Sequence, residues 1–257
     1  MTGDIAVWRD GGVQVLRIAR PEKKNALTGA MYRALSDAIE QGDADGSIAA
    51  HVLIGSGGIF TAGNDLGDFL ATARGTGDLG TDVLRFIRLL PAVQKPLIAA
   101  VDGSAIGIGT TLLFHADLVY AAPGAMFATP FLDLGLIPEA ASSLLMPSRM
   151  GYGRAFAMLA LGEPVSANDA VAAGFVNAIV PAENLEATAL DAARRLAGKP
   201  PEALAIARRL MRGDIAEVMA RIEAEVSEFR ERLRSPEAIE AFTAFFEKRP
   251  PKFRKTV

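Results

Sequence analysis

Phe60-Thr61-Ala62-Gly63-Asn64-Asp65-Leu66 and Val101-Asp102-Gly103-Ser104-Ala105-Ile106-Gly107-Ile108-Gly109 decide how this chain is read. Each stretch follows or ends an apolar run of strand character, residues 51–54 and 97–101, and each leads into a helical pattern. A strand-to-helix turn leaves backbone N–H groups without intrahelical partners. Two Gly-rich turns of this kind can aim two N–H groups at one point, the geometry that holds a carbonyl oxygen while it turns into an enolate. One turn alone carries little. Their order and spacing, with Pro138-Glu139 downstream, carry the argument.

Composition narrows the classes. The chain has 257 residues, half of them apolar, which suits a large packed core and argues against disorder. It has no cysteine, so disulfides, thiolate nucleophiles and cysteine metal sites are excluded. The two histidines, His51 and His115, have no metal-ligand spacing, and no metal is expected. The net charge of −3 argues against a nucleic-acid partner. Apolar runs are broken by charge or proline short of a membrane span, and Met1-Thr2-Gly3-Asp4 lacks the features of a signal peptide. A cytoplasmic protein with no membrane partner is the expectation.

Outward from the two turns, the pattern is mixed α/β up to about residue 135. Residues 5–9 and 13–19 predict a hairpin across Asp10-Gly11-Gly12, and Thr28 predicts the N-cap of a helix to about residue 40. Further strands are predicted at 51–54, 97–101 and 117–121, and helices at 82–90 and 107–115. Beyond Pro138 the pattern is helical at 139–161, 166–173, 182–197, 201–212, 214–233 and 236–247, punctuated by Gly151, Gly162, Gly174 and Pro200. So much apolar helical surface must pack on its own core or on a neighbouring subunit. There is no internal repeat. The turns also lack the Gly-x-Gly-x-x-Gly dinucleotide pattern, and the chain has no Gly-x-Ser-x-Gly elbow.

These motifs together resemble the crotonase superfamily, the enoyl-CoA hydratase/isomerase family. The resemblance is carried by Arg20-Pro21-Glu22-Lys23-Lys24-Asn25-Ala26-Leu27, by the two turns, by Lys95-Pro96 ahead of residues 97–103, and by Leu134-Gly135-Leu136-Ile137-Pro138. It covers the chain to about Lys248. It implies an α/β spiral of ββα units over residues 1–195 and a C-terminal helical oligomerisation region over 196–257, assembled as a homotrimer or a dimer of trimers. It implies an acyl-CoA thioester substrate, with coenzyme A brought in by the substrate and no further cofactor required.

By the same resemblance, the oxyanion hole is built from the backbone N–H groups of Asn64 and Ile108. The second position is usually glycine in the family; here Ile108 narrows it, and Gly107 and Gly109 preserve room. Lys23, Lys24, Ala26, Ala62, Gly63, Asn64, Asp65, Leu66 and Gly107 are the implied CoA-binding residues. The two glutamates of a hydratase would fall at Thr111 and Phe131, neither of which can act as an acid or base at neutral pH. Thr129-Pro130-Phe131 and Pro138-Glu139-Ala140-Ala141-Ser142-Ser143 instead resemble the peroxisomal type of Δ3,Δ2-enoyl-CoA isomerase, in which the Glu after the Pro is the base. One carboxylate suffices for moving a double bond: it takes the acidified C2 proton of a 3-enoyl thioester and returns it at C4.

Glu139 is open to a second reading. Behind Pro138 it fits the first turn of a helix, where an acid is favoured by the dipole whatever its function. An apolar acyl pocket would raise its pKa and a helix N-terminus would lower it. Asp65 is expected to hold its turn by side-chain-to-backbone bonds, Asp133 to lie at the surface or in a cap rather than to serve as a second acid, and Phe69, Leu70 and Leu84 to be core or acyl-tunnel residues. The basic tail beginning at Lys248-Arg249 is read either as solvated or as reaching a neighbour's bound nucleotide. Alternative functions on the same scaffold are a hydratase, another crotonase-type acyl-CoA reaction, and a non-catalytic CoA-thioester-binding protein.

Overall fold

The computed structural model describes residues 3–65, 67 and 80–253. Strands β1 (Ile5–Asp10) and β2 (Val13–Ile18) form the expected hairpin, closed by the pair Asp10–Val13 over Gly11, which turns with φ +59°. Helix α1 (Gly29–Ala44) starts where Thr28 predicts, with the Thr28 side chain accepting the Met31 N–H. Its buried face carries Met31, Tyr32, Leu35, Ala38 and Ile39. Strand β3 (Ala50–Ile54), helix α2 (Thr81–Ala92) and strand β4 (Leu97–Val101) follow. β3 and β4 are buried at every residue, as strands covered on both faces must be.

From β4 the chain builds in repeating turns. A strand joins a large sheet, a short second strand joins a small one, and a helical turn leads back. β5 (Ser104–Ile106) is followed by the one-turn helix α3 (Ile108–Thr111) and a 3-10 turn to His115. β6 (Leu118–Ala121) and β7 (Met126–Ala128) repeat the step. Next come α4 (Ser142–Met150), α5 (Tyr152–Ala160), β8 (Val165–Ser166), α6 (Ala167–Ala172), β9 (Ala178–Ile179) and α7 (Ala182–Ala197). The large sheet runs β1-β2-β3-β4-β6-β9, parallel except for the first hairpin; the small one runs β5-β7-β8. This is the α/β architecture expected from the motifs.

Three sequence readings are corrected. The helix predicted over 139–161 is two helices split at Gly151, and the first begins only at Ser142. The region after Pro138, nearly all helical by its pattern, also holds the two-residue strands β8 and β9, of which β8 takes the first residue of the helix expected from 166. The predicted 107–115 helix is an α-turn continued as a 3-10 turn. The C-terminal helices α8 (Pro201–Arg212), α9 (Ile215–Leu233) and α10 (Pro236–Phe246) are present. Ile222, Val226, Phe229, Leu233, Ala238 and Phe242, from the last two, enter the main core of their own chain. α7 runs unbroken to residue 197, past the division expected after 195. Ile206, Leu210 and Met211 of α8 are exposed.

Candidate active site

The site begins with a buried asparagine. Lys24 and Asn25 both turn through the left-handed region, at φ +52° and +56°. The Asn25 amide pins that turn to the second loop: Nδ2 donates to Ser56 O at 3.0 Å and to Ile59 O at 2.7 Å, and Oδ1 accepts the Arg20 N–H. The Thr61 hydroxyl donates to Asn25 O, and the Ala62 N–H to Lys24 O. Asn tolerates αL and can satisfy both a donor and an acceptor, so the Arg-Pro-x-x-x-Asn segment is a strap that fixes the 60–65 turn.

That turn is zipped to the second Gly-rich turn. Thr61 N–H donates to Ser104 O and Ile106 N–H donates to Thr61 O, both at 3.0 Å. On the other side, Leu27 N–H donates to Gly63 O and Asp65 N–H to Leu27 O. This pairing directs the Asn64 N–H away from the Leu27 strand. Gly63 has φ +85°, and a Cβ there would meet Ile106 O at 2.7 Å, so only glycine permits the approach. A Cβ on Gly109 would meet the Thr61 side chain at 2.4 Å. Gly107, at φ +57°, is the N-cap of α3, which leaves Ile108 as its first residue, without an i−4 partner inside the helix. The Ile108 side chain is fully buried in the core.

A cleft of about 600 Å³ opens over these turns. Lys23, Lys24, Ala26, Ala62, Gly63, Asn64, Asp65 and Gly107 all line it. Leu66, Phe69 and Leu70 lie outside the described residues. The opposite wall holds Phe131, Leu136, Phe229 and, from the C-terminal end of the same chain, Phe245, Arg249 and Pro251. The basic tail thus reaches its own cleft through Arg249, which is ion-paired with Glu240 and Glu247. Asp65 takes the Gly67 N–H on Oδ1 and Arg20 on Oδ2, and Asp133 is exposed on the rim. Among the described residues no cluster of three or more His, Asp, Glu or Cys side chains is arranged to hold a metal ion.

Behind the cleft, sharing Phe229 with it, is a narrow cavity lined by Val83, Leu84, Ile87, Glu139, Ala140, Glu225 and Val226. Glu139 is buried, and its Oε1 has no hydrogen-bond partner among the described residues. Burial, and after it the nearby Glu225, push its pKa up to about 8. The helix-dipole reading of Glu139 is corrected here. α4 starts three residues later, and the acid at its N-terminus is Glu225, which accepts the Ala141 N–H at 2.6 Å and the Ser143 N–H at 3.1 Å. Thr111 and Phe131 are both buried.

Two residues of the site escaped the sequence reading. Tyr32 is buried on α1 and donates its hydroxyl to Asn64 Oδ1. Burial, and then the charge of Glu139, hold its phenol well above the ordinary tyrosine range, so it is a neutral donor. At helical spacing it reads as core, and nothing local distinguishes it. Glu225 lies on an amphipathic stretch of α9 and reads as surface; burial among apolar neighbours lifts its pKa as well. His115 is also buried. Desolvation lowers its pKa to about 4, and its neutral ring meets Ala140 O at 2.8 Å from Nε2.

A spiral of parallel strands whose Gly-rich turns border an apolar cleft, with a cavity beside it that holds the buried acids Glu139 and Glu225, defines a crotonase-type scaffold. The chain matches the enoyl-CoA hydratase/isomerase family over residues 9–256. It is 35% identical over 251 residues to enoyl-CoA delta isomerase 2 of Rattus norvegicus, across 96% of this chain and 64% of the rat protein. It is 36% identical over 254 residues to a probable enoyl-CoA hydratase of Rhodobacter capsulatus, across 94% of each. The structure of Pseudomonas aeruginosa OdaA superposes with a TM-score of 0.90 at 42% identity, covering 95% of this chain and 99% of that one. The chain belongs to the enoyl-CoA hydratase/isomerase family.

Proposed function

We propose that the chain converts 3-enoyl-CoA thioesters to 2-trans-enoyl-CoA, with Glu139 as the single base. The observation that carries this reading is the state of Glu139: buried, unpartnered at Oε1, and with its pKa raised to about 8. A carboxyl tuned close to neutral pH can both take and return a proton, which is what a 1,3-shift demands. The thioester oxygen would lie against the N–H groups of Asn64 and Ile108, which stabilise the dienolate. Glu139 removes the C2 proton and delivers it to C4, and the electron pair moves from C2–H through the enolate to the conjugated alkene. The steps balance without water, metal or redox cofactor. The cleft residues named above would hold the CoA portion.

A hydratase is the competing reading, because Glu225 gives the cavity a second carboxylate. Its oxygens, however, are engaged by Ala141 and Ser143, which suits a structural anion better than a water-activating one. We propose further that the exposed apolar residues of α8 are covered in a trimer or a dimer of trimers.

The test is to offer 3-cis- and 3-trans-enoyl-CoA to the wild type and Glu139→Gln, and to follow conjugation and net hydration separately. Conjugation by the wild type, reduced on the order of a hundredfold or more in the variant, is the expected result. Equal conjugation by both proteins removes Glu139 as the base. Net hydration without conjugation replaces the isomerase reading by the hydratase one, and thioester binding with neither reaction leaves a CoA-thioester-binding protein.

A further inference from the structure

Glu139 is presented by a backbone that its own neighbours disfavour. Ala140 and Ala141 both have φ +56°, a left-handed conformation that residues with a Cβ adopt reluctantly. Alanine is the strongest helix former, so two alanines before Ser142 would, left alone, extend α4 backward and carry Glu139 into its first turn. Bonds from distant parts of the chain oppose this. Glu225 Oε2 accepts the Ala141 N–H at 2.6 Å, and Oε1 accepts the Ser143 N–H at 3.1 Å and the Ser143 hydroxyl at 2.5 Å. His115 Nε2 bonds Ala140 O at 2.8 Å; within the turn itself, the Ser142 N–H donates to Glu139 O at 3.0 Å.

We propose that Glu225 is the positioning residue of Glu139: its carboxylate clamps the two-alanine turn that aims the base into the cavity, and sets a second negative charge against it. The inference rests on Glu139 being the base of the proposed reaction. Three donors converge on Glu225, so its ionised form is the better held of the two acids, and Glu139 is the one left to carry the proton. Both acids line the same cavity.

Among the described residues, Glu225 is the charge that faces the base. α2 contributes only apolar side chains to the cavity wall, Val83, Leu84 and Ile87. α1 contributes Tyr32, a neutral phenol. The 3-10 turn contributes His115, neutral because burial lowers its pKa to about 4. α9 contributes Glu225 itself and, further out, Arg221, which reaches the Ser143 hydroxyl at 3.3 Å.

Charge and clamp separate experimentally. In Glu225→Gln the amide oxygen can take the Ala141 N–H and the amide NH2 can donate to the Ser143 hydroxyl, leaving only the Ser143 N–H without its acceptor, so most of the clamp is kept while the charge is lost. Glu225→Ala loses both. The Glu139 carboxyl is titrated by infrared difference spectroscopy of the full-length, unliganded protein against Glu139→Gln, a readout that needs no turnover. In Glu225→Gln the Glu139 titration is expected to move to lower pH, with circular dichroism unchanged. Where conjugation is measurable, kcat of Glu225→Ala falls more than tenfold, and the pKa through which the rate rises as Glu139 ionises follows the titration in Glu225→Gln. A Glu139 titration unmoved in Glu225→Gln overturns the charge role. An unchanged kcat in Glu225→Ala, with Glu139 still titrating as in the wild type, overturns the clamp. Absence of conjugation in the wild type counts against the proposed reaction alone, since the titration is read without it.

Discussion

Replacing Glu139 by Gln should make the protein more stable, and by an amount that grows with pH. In the folded chain the carboxyl titrates near 8, against an ordinary value of 4.5, because burial penalises its charged form. A folded-state pKa above the unfolded one means that between these values the folded protein holds a proton that the unfolded chain has lost. Stability therefore falls as pH rises from about 4.5 to about 8 and levels off above. A separation of about 3.5 pH units corresponds to about 5 kcal/mol once the group is fully ionised, and about 3 kcal/mol has already been lost at pH 7. Glutamine has nearly the same shape and never ionises, so it escapes this cost. Because Glu225 titrates in the same cavity, the loss is spread over a wider pH range than one isolated acid would give.

The assay is urea unfolding of wild type and Glu139→Gln at pH 5, 7 and 9, with matched ionic strength. At pH 5 the two should differ by about 1 kcal/mol or less; at pH 7 the variant should lead by about 3 kcal/mol, and at pH 9 by about 5 kcal/mol. A lead that stays constant across the range, or a variant less stable at pH 9 than the wild type, refutes the claim that a buried, protonated acid sits at this position. The same substitution is expected to cut turnover on the order of a hundredfold or more, so stability and activity should move in opposite directions.

Two further outcomes test the neighbouring geometry. Gly63→Ala puts a Cβ 2.7 Å from Ile106 O at a φ of +85°, so the turn must shift; conjugation should fall on the order of a hundredfold, the usual cost of losing one oxyanion donor, and a rate within threefold of wild type would contradict the turn's role. Tyr32→Phe takes the hydroxyl donor from the half-buried Asn64 carboxamide oxygen; the urea midpoint should report a loss of about 1 kcal/mol, with kcat reduced more than KM is raised, whereas unchanged stability and rate would show that the hydroxyl is idle.

Much of the fold was legible because its signals are local. The hairpin, the Thr28 cap and the two buried parallel strands follow from turn chemistry and from apolar runs. β5, β7, β8 and β9 were not legible, since strands of two or three residues are too short to show an alternating pattern. The left-handed turn at Ala140–Ala141 was invisible for a different reason. Alanine favours the helix, and the bonds that overrule it come from Glu225, 84 residues beyond Ala141.

Taken alone, the order of residues determined the two Gly-rich turns and the acids missing at Thr111 and Phe131. Each of these depends on backbone conformations that only certain side chains permit, or on a functional group being present at all. Tertiary structure alone decided which acid faces the helix N-terminus and which is left bare in an apolar cavity. The protonation of Glu139 depends on what surrounds it, namely the apolar wall of α2 and Glu225. Solvent exclusion and the nearness of a like charge arise only when distant segments are packed together.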